Sequence, residues 1–134
     1  MALMKWQSTF ETGILEFDNH HTHLVYLLNL TYNIVMLNAE RDEVRAVLAE
    51  LIKYVDYHFS TEERWMEEHN YPNLLHHKHE HKKLTDRVIE FNNDFENGKE
   101  DLTIELVNFL MEWLMDHILT TDSKCGEYAK TYNL

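Results

Sequence analysis

Four stretches of this chain repeat apolar residues at alternating steps of three and four, and each is interrupted by histidine or carboxylate. One seam runs His21, Leu24, Leu28, Thr31, Val35; the next runs Leu51, Val55, His58, Glu62, Trp65, His69. A third runs Leu74, His77, His81, Leu84, Val88, Phe91, Phe95, and a fourth runs Leu106, Leu110, Trp113, His117. That alternation is the period of a helix burying one face. Four such faces need one another, and the fold this dictates is an all-α bundle. Polar groups in a seam are costly to bury without a partner, so the histidines and carboxylates need an explanation beyond packing.

Composition narrows the choice. Three glycines and one proline in 134 residues leave little material for turns, which favours long helices over a sheet. That length suits one domain with a real core, and we read residues 1–134 as a single unit. The formal charge of −12 opposes binding to nucleic acid or to anionic lipid, and most of it reads as a well-solvated surface. A single cysteine, Cys125, excludes an internal disulfide framework and is read as structural. Met1 to Trp6 lacks the apolar core of a signal peptide, and no apolar run is long enough to span a membrane, so a reducing cytoplasm is expected.

Along the chain, residues 1–17 read as an extended arm whose Trp6, Phe10, Ile14 and Phe17 pack onto the bundle. Asp18 is the expected N-cap of a helix over about 19–38. A second helix covers about 41–69 and is broken at Asn70-Tyr71-Pro72, with Pro72 suited to the first turn of the next. The third covers about 73–97 and stops at Asn97-Gly98; the fourth opens at Asp101 or Thr103 and covers about 102–119. A polar tail, 123–134, follows. Short connections predict an antiparallel up-down-up-down bundle.

That topology tests the ligand idea independently. The start of helix one, the end of two, the start of three and the end of four share one end of such a bundle. His21, the His58–Glu62 pair, the His77–His81 pair and His117 all fall at that end, with Asp122 just beyond. Taken singly the motifs are weak: His58 with Glu62 is more often a surface pair, and a lone His21 more often a satisfied interior histidine. Together they form one layer of five imidazoles and two carboxylates, which suits two metal ions sharing the carboxylates. His117 and Asp122 are five residues apart, about 140° out of phase on a regular helix, so they meet only if the helix ends or widens into a π-turn there. His20, His23, His69, His76 and His79 are read as partly exposed non-ligands, with His20 notable for adjoining His21. The methionines are read as filler or surface.

Thiolate is absent from the donor set, which excludes Cys-rich structural zinc. Imidazole with bridging carboxylate suits iron, with zinc and manganese as competitors. Carboxylate-rich di-iron bundles use Glu-x-x-His motifs, and none occurs in this chain. A histidine-dominated set stabilises high-valent iron less, which favours holding dioxygen over cleaving it.

The chain resembles a single-domain bacterial hemerythrin. The resemblance is carried by Asp18-Asn19-His20-His21, by His58-Phe59-Ser60-Thr61-Glu62-Glu63, by Tyr71-Pro72, by His77-Lys78-His79-Glu80-His81, and by Trp113-Leu114-Met115-Asp116-His117-Ile118 with Asp122. It implies that His77, His81 and His117 hold one iron and His21 and His58 the other, with Glu62 and Asp122 bridging. It also implies an oxo or hydroxo bridge, an open position for dioxygen on the second iron, and a dioxygen pocket lined by Trp113, Leu114 and Ile118. Two departures touch the surroundings of the ligands: His20 where the family usually has Gln, and Cys125 where it often has Tyr. The leading function is a non-enzymatic carrier, store or delivery protein for dioxygen, expected to be monomeric and to pass dioxygen to an oxygen-using enzyme. An oxygen or redox sensor module, an enzyme acting on peroxide or nitric oxide, and an iron store are the alternatives.

Overall fold

The computed structural model describes residues 5–98 and 104–134, without the side chains of residues 104 and 105. A 3-10 turn at Ser8–Phe10 precedes α1 (Leu15–Met36), α2 (Arg41–Glu68), α3 (Leu74–Glu96) and α4 (Ile104–Asp116). A π-helical turn, His117–Asp122, then leads directly into α5 (Ser123–Thr131). The four long helices pack as a bundle, α1 against α2 and α4, and α2 against α3. No strand occurs among the described residues. The apolar seams form the core, with Leu24, Leu28, Leu48, Leu51, Leu84, Val88, Phe91, Val107, Leu110 and Leu114 buried along it.

The helix ends follow local chemistry. Asn38 and Asn70 take left-handed backbone at φ 52° and 54°, and Gly98 does so at φ 72°. After α1 the Ala39 N–H donates to Ile34 O while Asn38 N–H donates to Val35 O; Tyr71 and Asn70 repeat the pattern after α2. These are Schellman closures, which satisfy carbonyls that a helix end would otherwise leave open. They make both connections short, and so hold neighbouring helices antiparallel.

Three sequence expectations need correction. Asp18 is not the N-cap: α1 begins at Leu15, and the Asp18 carboxylate lies inside its first turn. There it accepts from Thr12 N–H at 2.8 Å, Thr12 Oγ1 at 2.9 Å and Gly13 N–H at 3.2 Å, fastening the arm back onto the helix. Pro72 stands in the turn before α3, whose N-cap is Asn73. The region expected to be a polar tail is α5, which buries Cys125, Gly126 and Ala129. It packs with Ile14, Phe17, Met66 and Tyr71 in a second, smaller cluster. The expected start of the fourth helix at Asp101 or Thr103 lies outside the described residues. Phe10 and Ile14 of the arm are buried, as is Phe17 in the first turn of α1, where it meets Trp65 edge to face at 5.5 Å.

Gly126 explains how α5 lies so close to the arm. A Cβ at this position would overlap the backbone carbonyl of Thr12. Asp18 holds Thr12 by both its amide and its hydroxyl, so the arm cannot yield freely. Gly126→Ala is therefore expected to cost about 1–3 kcal/mol, as overpacking does. Urea denaturation should show a lower midpoint with unchanged slope; an unchanged midpoint would mean that the arm and α5 are not held together as described.

Candidate metal centre

His21 lies one and a half turns into α1, His58 and Glu62 in the second half of α2, and His77 and His81 near the start of α3. His117 and Asp122 bound the π-helical turn. The wide turn brings residues five apart onto one side, which the regular helix could not do; Ser123 N–H donates to Ile118 O, the five-residue bond of a π-turn. All seven side chains are at most 2% exposed.

The arrangement of oxygens divides the cluster in two. One oxygen of each carboxylate faces His21 and His58: His21 Nε2 is 2.9 Å from Asp122 Oδ2 and 3.4 Å from Glu62 Oε2, and His58 Nε2 is 3.3 Å from Glu62 Oε2. The other oxygen of each faces the remaining three: His77 Nε2 is 2.9 Å from Asp122 Oδ1, His81 Nε2 is 2.9 Å from Glu62 Oε1, and His117 Nε2 is 3.2 Å from Asp122 Oδ1. Donor atoms of Glu62, His77, His81, His117 and Asp122 lie within 4.8 Å of one another, and so do those of His21, His58, Glu62 and Asp122. That span is close to twice a metal–ligand bond of about 2.0–2.2 Å. Both carboxylates belong to both groups, which is how a carboxylate bridges two ions.

Many of these close contacts lack hydrogen-bond geometry. Among the described residues nine buried side-chain nitrogen or oxygen atoms have no hydrogen-bond partner, and eight belong to this cluster. They are both oxygens of Glu62 and of Asp122, Nε2 of His21, His58 and His77, and Nδ1 of His21. At about 1–3 kcal/mol for each unsatisfied buried group, eight would cost on the order of 10–20 kcal/mol. A whole domain has a net stability of only about 5–15 kcal/mol. Seven of the eight atoms point into the centre, where cations would satisfy them.

Electrostatics carry the same message. Burial lowers the pKa of His21, but the carboxylates of Asp122 and Glu62 outweigh it and raise it to about 9. For His77 burial is likewise outweighed, chiefly by Asp122, and the pKa rises to about 11. His117 is raised well above its ordinary value, burial again being overcome by Asp122. Burial would raise Glu62 and Asp122, yet the surrounding histidines hold both well below the carboxylate range. Two buried anions thus draw positive charge to whichever nitrogens face them.

Outer nitrogens are held in turn. His81 Nδ1 meets Glu63 at 2.9 Å, and His117 Nδ1 meets Glu80 at 3.2 Å. Thr121 Oγ1 donates to Glu80 at 3.0 Å, and His76 Nε2 lies 2.8 Å from it. His117, Thr121 and His76 bring the Glu80 carboxyl down to about 2, His117 contributing most. His77 Nδ1 is 3.6 Å from Cys125 Sγ, whose thiol is pushed up by burial. His58 Nδ1 is 3.0 Å from His20 Nδ1. His20 is therefore buried, contrary to the sequence reading, and burial followed by His58 lowers its pKa. Such partners fix ring orientation and the tautomer that leaves Nε2 free for a metal.

Sequence reasoning missed Glu63, Glu80 and Phe59. Glu80 follows His76 by four residues, a local signal, but its approach to His117 crosses between helices. Phe59 stacks on His81 at 3.8 Å and 4°, and Trp113 on His117 at 4.6 Å and 12°. Both rings also border an apolar cavity of about 30 Å³ lined with Leu24, Leu28, Leu51, Val55, Leu84, Val88, Leu110 and Leu114. Ile118, expected to share that wall, is buried but does not line the cavity.

The comparisons with known proteins identify the family. The family model for the hemerythrin HHE cation binding domain matches residues 12–129. The chain belongs to the hemerythrin family. It is 33% identical over 132 residues to a bacteriohemerythrin of Stenotrophomonas maltophilia (strain R551-3), covering 98% of this chain and 85% of that protein. It is 35% identical over 123 residues to a bacteriohemerythrin of Pseudomonas paraeruginosa (strain DSM 24068 / PA7), covering 92% and 79%. The crystal structure of a wild-type hemerythrin superposes with a TM-score of 0.90 at 29% identity, covering 94% of this chain and 97% of that one.

The raised histidine pKa values give the metal-free protein a definite pH dependence. An unfolded histidine titrates near 6.5, whereas folded His21 and His77 hold their protons to about 9 and 11. That stabilisation is complete below pH 6.5 and is lost as pH rises through 9 and towards 11. The carboxylates act oppositely, their contribution being present above their unfolded values of 4.5 and 3.8 and lost in strong acid. Metal competes for the same nitrogens, so its apparent affinity rises with pH over the range in which metal-free stability falls. The melting temperature of the metal-free protein should drop between about pH 7 and pH 10 while that of the metal-loaded protein changes less; a metal-free melting temperature that climbs over this range would contradict the assignment.

Proposed function

We propose that this chain is a non-heme di-iron protein that binds dioxygen reversibly, a binding protein and not an enzyme. The observation that carries the reading is the division of Glu62 and Asp122, each with one oxygen towards His21 and His58 and the other towards His77, His81 and His117. In this reading His77, His81 and His117 hold one iron, His21 and His58 the other, and the two carboxylates bridge. The two-histidine group offers one protein donor fewer, so it is the side that would leave room for dioxygen. When bound, two ferrous ions joined by an oxo or hydroxo bridge would supply the two electrons that reversible dioxygen binding draws on.

The chain's own residues do the rest. Glu62 and Asp122 fix the separation of the two ions. Glu63 and Glu80 hold His81 and His117 from behind and increase the basicity of those imidazoles. These four carboxylates balance the four positive charges of two ferrous ions, so the reduced site is neutral before any bridge is added. Trp113 and Leu114, with Phe59, wall the cavity, and Ile118 is buried in the same apolar core. An apolar wall admits a small neutral molecule while excluding the water and protons that would promote irreversible oxidation.

The role is carriage, storage or delivery of dioxygen, with delivery to an oxygen-using enzyme the form that suits a small binding protein. Among the described residues no helix is long and apolar enough to cross a membrane. The reading places the chain in the cytoplasm as a monomer. The competing enzymatic reading has no comparable support, since every titratable group of the cluster is taken up as a ligand or as a ligand's partner.

Three experiments test the reading. The anaerobically iron-loaded protein should gain visible absorption on admitting oxygen and lose it when oxygen is removed, through repeated cycles; a change that never reverses would refute reversible binding. His77→Ala or His81→Ala should abolish binding of the pair, whereas exposed His79→Ala should leave iron content unchanged. Equal loss of iron in all three would contradict the ligand assignment. For the pocket, Leu114→Ala enlarges the cavity and should speed spontaneous oxidation of the reduced protein several-fold with iron content unchanged; an unaltered rate would remove Leu114 from the wall.

A further inference from the structure

His20 stands where a purely structural residue would suffice, yet its ring is turned to one nitrogen of one ligand. Its Nδ1 lies 3.0 Å from Nδ1 of His58, and both rings are buried. The two residues come from facing helices, 38 positions apart. Two facing imidazole nitrogens at this distance share a single hydrogen, so one must donate and the other accept. Which does which is set by the centre. His58 Nε2 points at Glu62 and is left without a hydrogen-bond partner. For that nitrogen to coordinate, it must carry no proton, so the His58 proton resides on Nδ1. His20 then has to accept at Nδ1 and keep its own proton on Nε2.

We infer that His20 is the positioning residue for the two-histidine half of the centre, its Nδ1 lone pair holding the His58 ring so that Nε2 faces the metal. The inference rests on the metal-binding reading above. It matters on this side in particular. His77, His81 and His117 each have an outer partner in Cys125, Glu63 or Glu80, whereas His21 Nδ1 is buried without one. The contact between His20 and His58 is thus the single hydrogen bond among the described residues that orients a ligand of the two-histidine group. The acceptor is also neutral, unlike Glu63 and Glu80. It orients His58 without adding negative charge at the iron proposed to bind dioxygen.

The competing explanation is packing. His20 lies against Tyr57 at 5.0 Å and Tyr54 at 5.7 Å, and a ring there could serve merely to fill space. Two substitutions separate the roles. His20→Phe keeps a ring and removes the acceptor; His20→Gln removes the ring and keeps a carbonyl oxygen that can accept. Cobalt(II) titration followed by visible absorption reads both half-sites without requiring dioxygen chemistry. His20→Phe should weaken one of two cobalt equivalents about 10- to 100-fold, the usual cost of losing such a partner, and leave the other unchanged. His20→Gln should stay within a few-fold of the parent. His23→Phe, which touches Tyr54 and no ligand, should change neither.

The reverse pattern, with Phe tolerated and Gln not, would show packing and overturn the inference. Equal weakening of both equivalents would overturn it too. Should His20→Phe fail to fold, the Gln variant decides, since its retention of both equivalents requires only the acceptor. Nitrogen-15 NMR of the unaltered, zinc-loaded protein gives a separate check: His20 should be the Nε2–H tautomer, and an Nδ1–H tautomer would refute the assignment. A parent protein that takes up fewer than two cobalt ions would instead count against the two-ion reading, a failure visible before any variant is made.

Discussion

Two carboxylates with no exposed surface sit at the centre of this molecule, ringed by five imidazoles. Everything else in the structure follows from making that tolerable. Isolated buried anions are among the most costly things a protein can hold, and breaking a buried ion pair by removing one partner typically costs about 3–5 kcal/mol. Without metal, protons on His21, His77 and His117, whose pKa values the two carboxylates raise, would answer part of the demand. A proton satisfies one nitrogen and one oxygen at a time. A divalent ion satisfies four or more donors at once, and two ions satisfy all seven side chains together.

The fold is shaped to present those donors in one layer. Helices α1, α2 and α3 each contribute from the same end of the bundle, and the π-turn that follows α4 supplies His117 and, at a position that a regular helix would have turned away, Asp122. Helix α5 continues beyond that turn and presses Gly126 against the arm, which Asp18 fastens to the start of α1. The end of the bundle bearing the ligands is thereby closed over by chain. The rest of the bundle is an ordinary apolar core, and its small cavity is bordered by Phe59 and Trp113, the rings that stack on His81 and His117.

Much of this was legible in the sequence, for a definite reason. Helical period and short connections are local properties, and together they place His21, His58, Glu62, His77, His81 and His117 in one layer without knowledge of any contact. The spacing from His117 to Asp122 even demanded the irregular turn. What stayed hidden depends on tertiary contact. The partner of His117 is Glu80, 37 residues away, and that of His58 is His20, 38 away, and no periodicity encodes either. Helix α5 was concealed by its polar stretch and by Gly126, a poor helix former whose missing side chain is needed for close approach to Thr12. Asp18 resembled an N-cap because its carboxylate does accept backbone N–H groups, but they belong to the arm and not to the helix.

The central claim is that two ions share Glu62 and Asp122. X-ray absorption at the iron edge of the fully loaded, reduced protein tests it most directly, because it reports iron–iron separation whatever the function. The account predicts two irons per chain with a scattering path between them at about 3.5–4 Å, the usual spacing of paired metals bridged by protein. Iron without an iron neighbour at that range, or a stoichiometry of one, would contradict it.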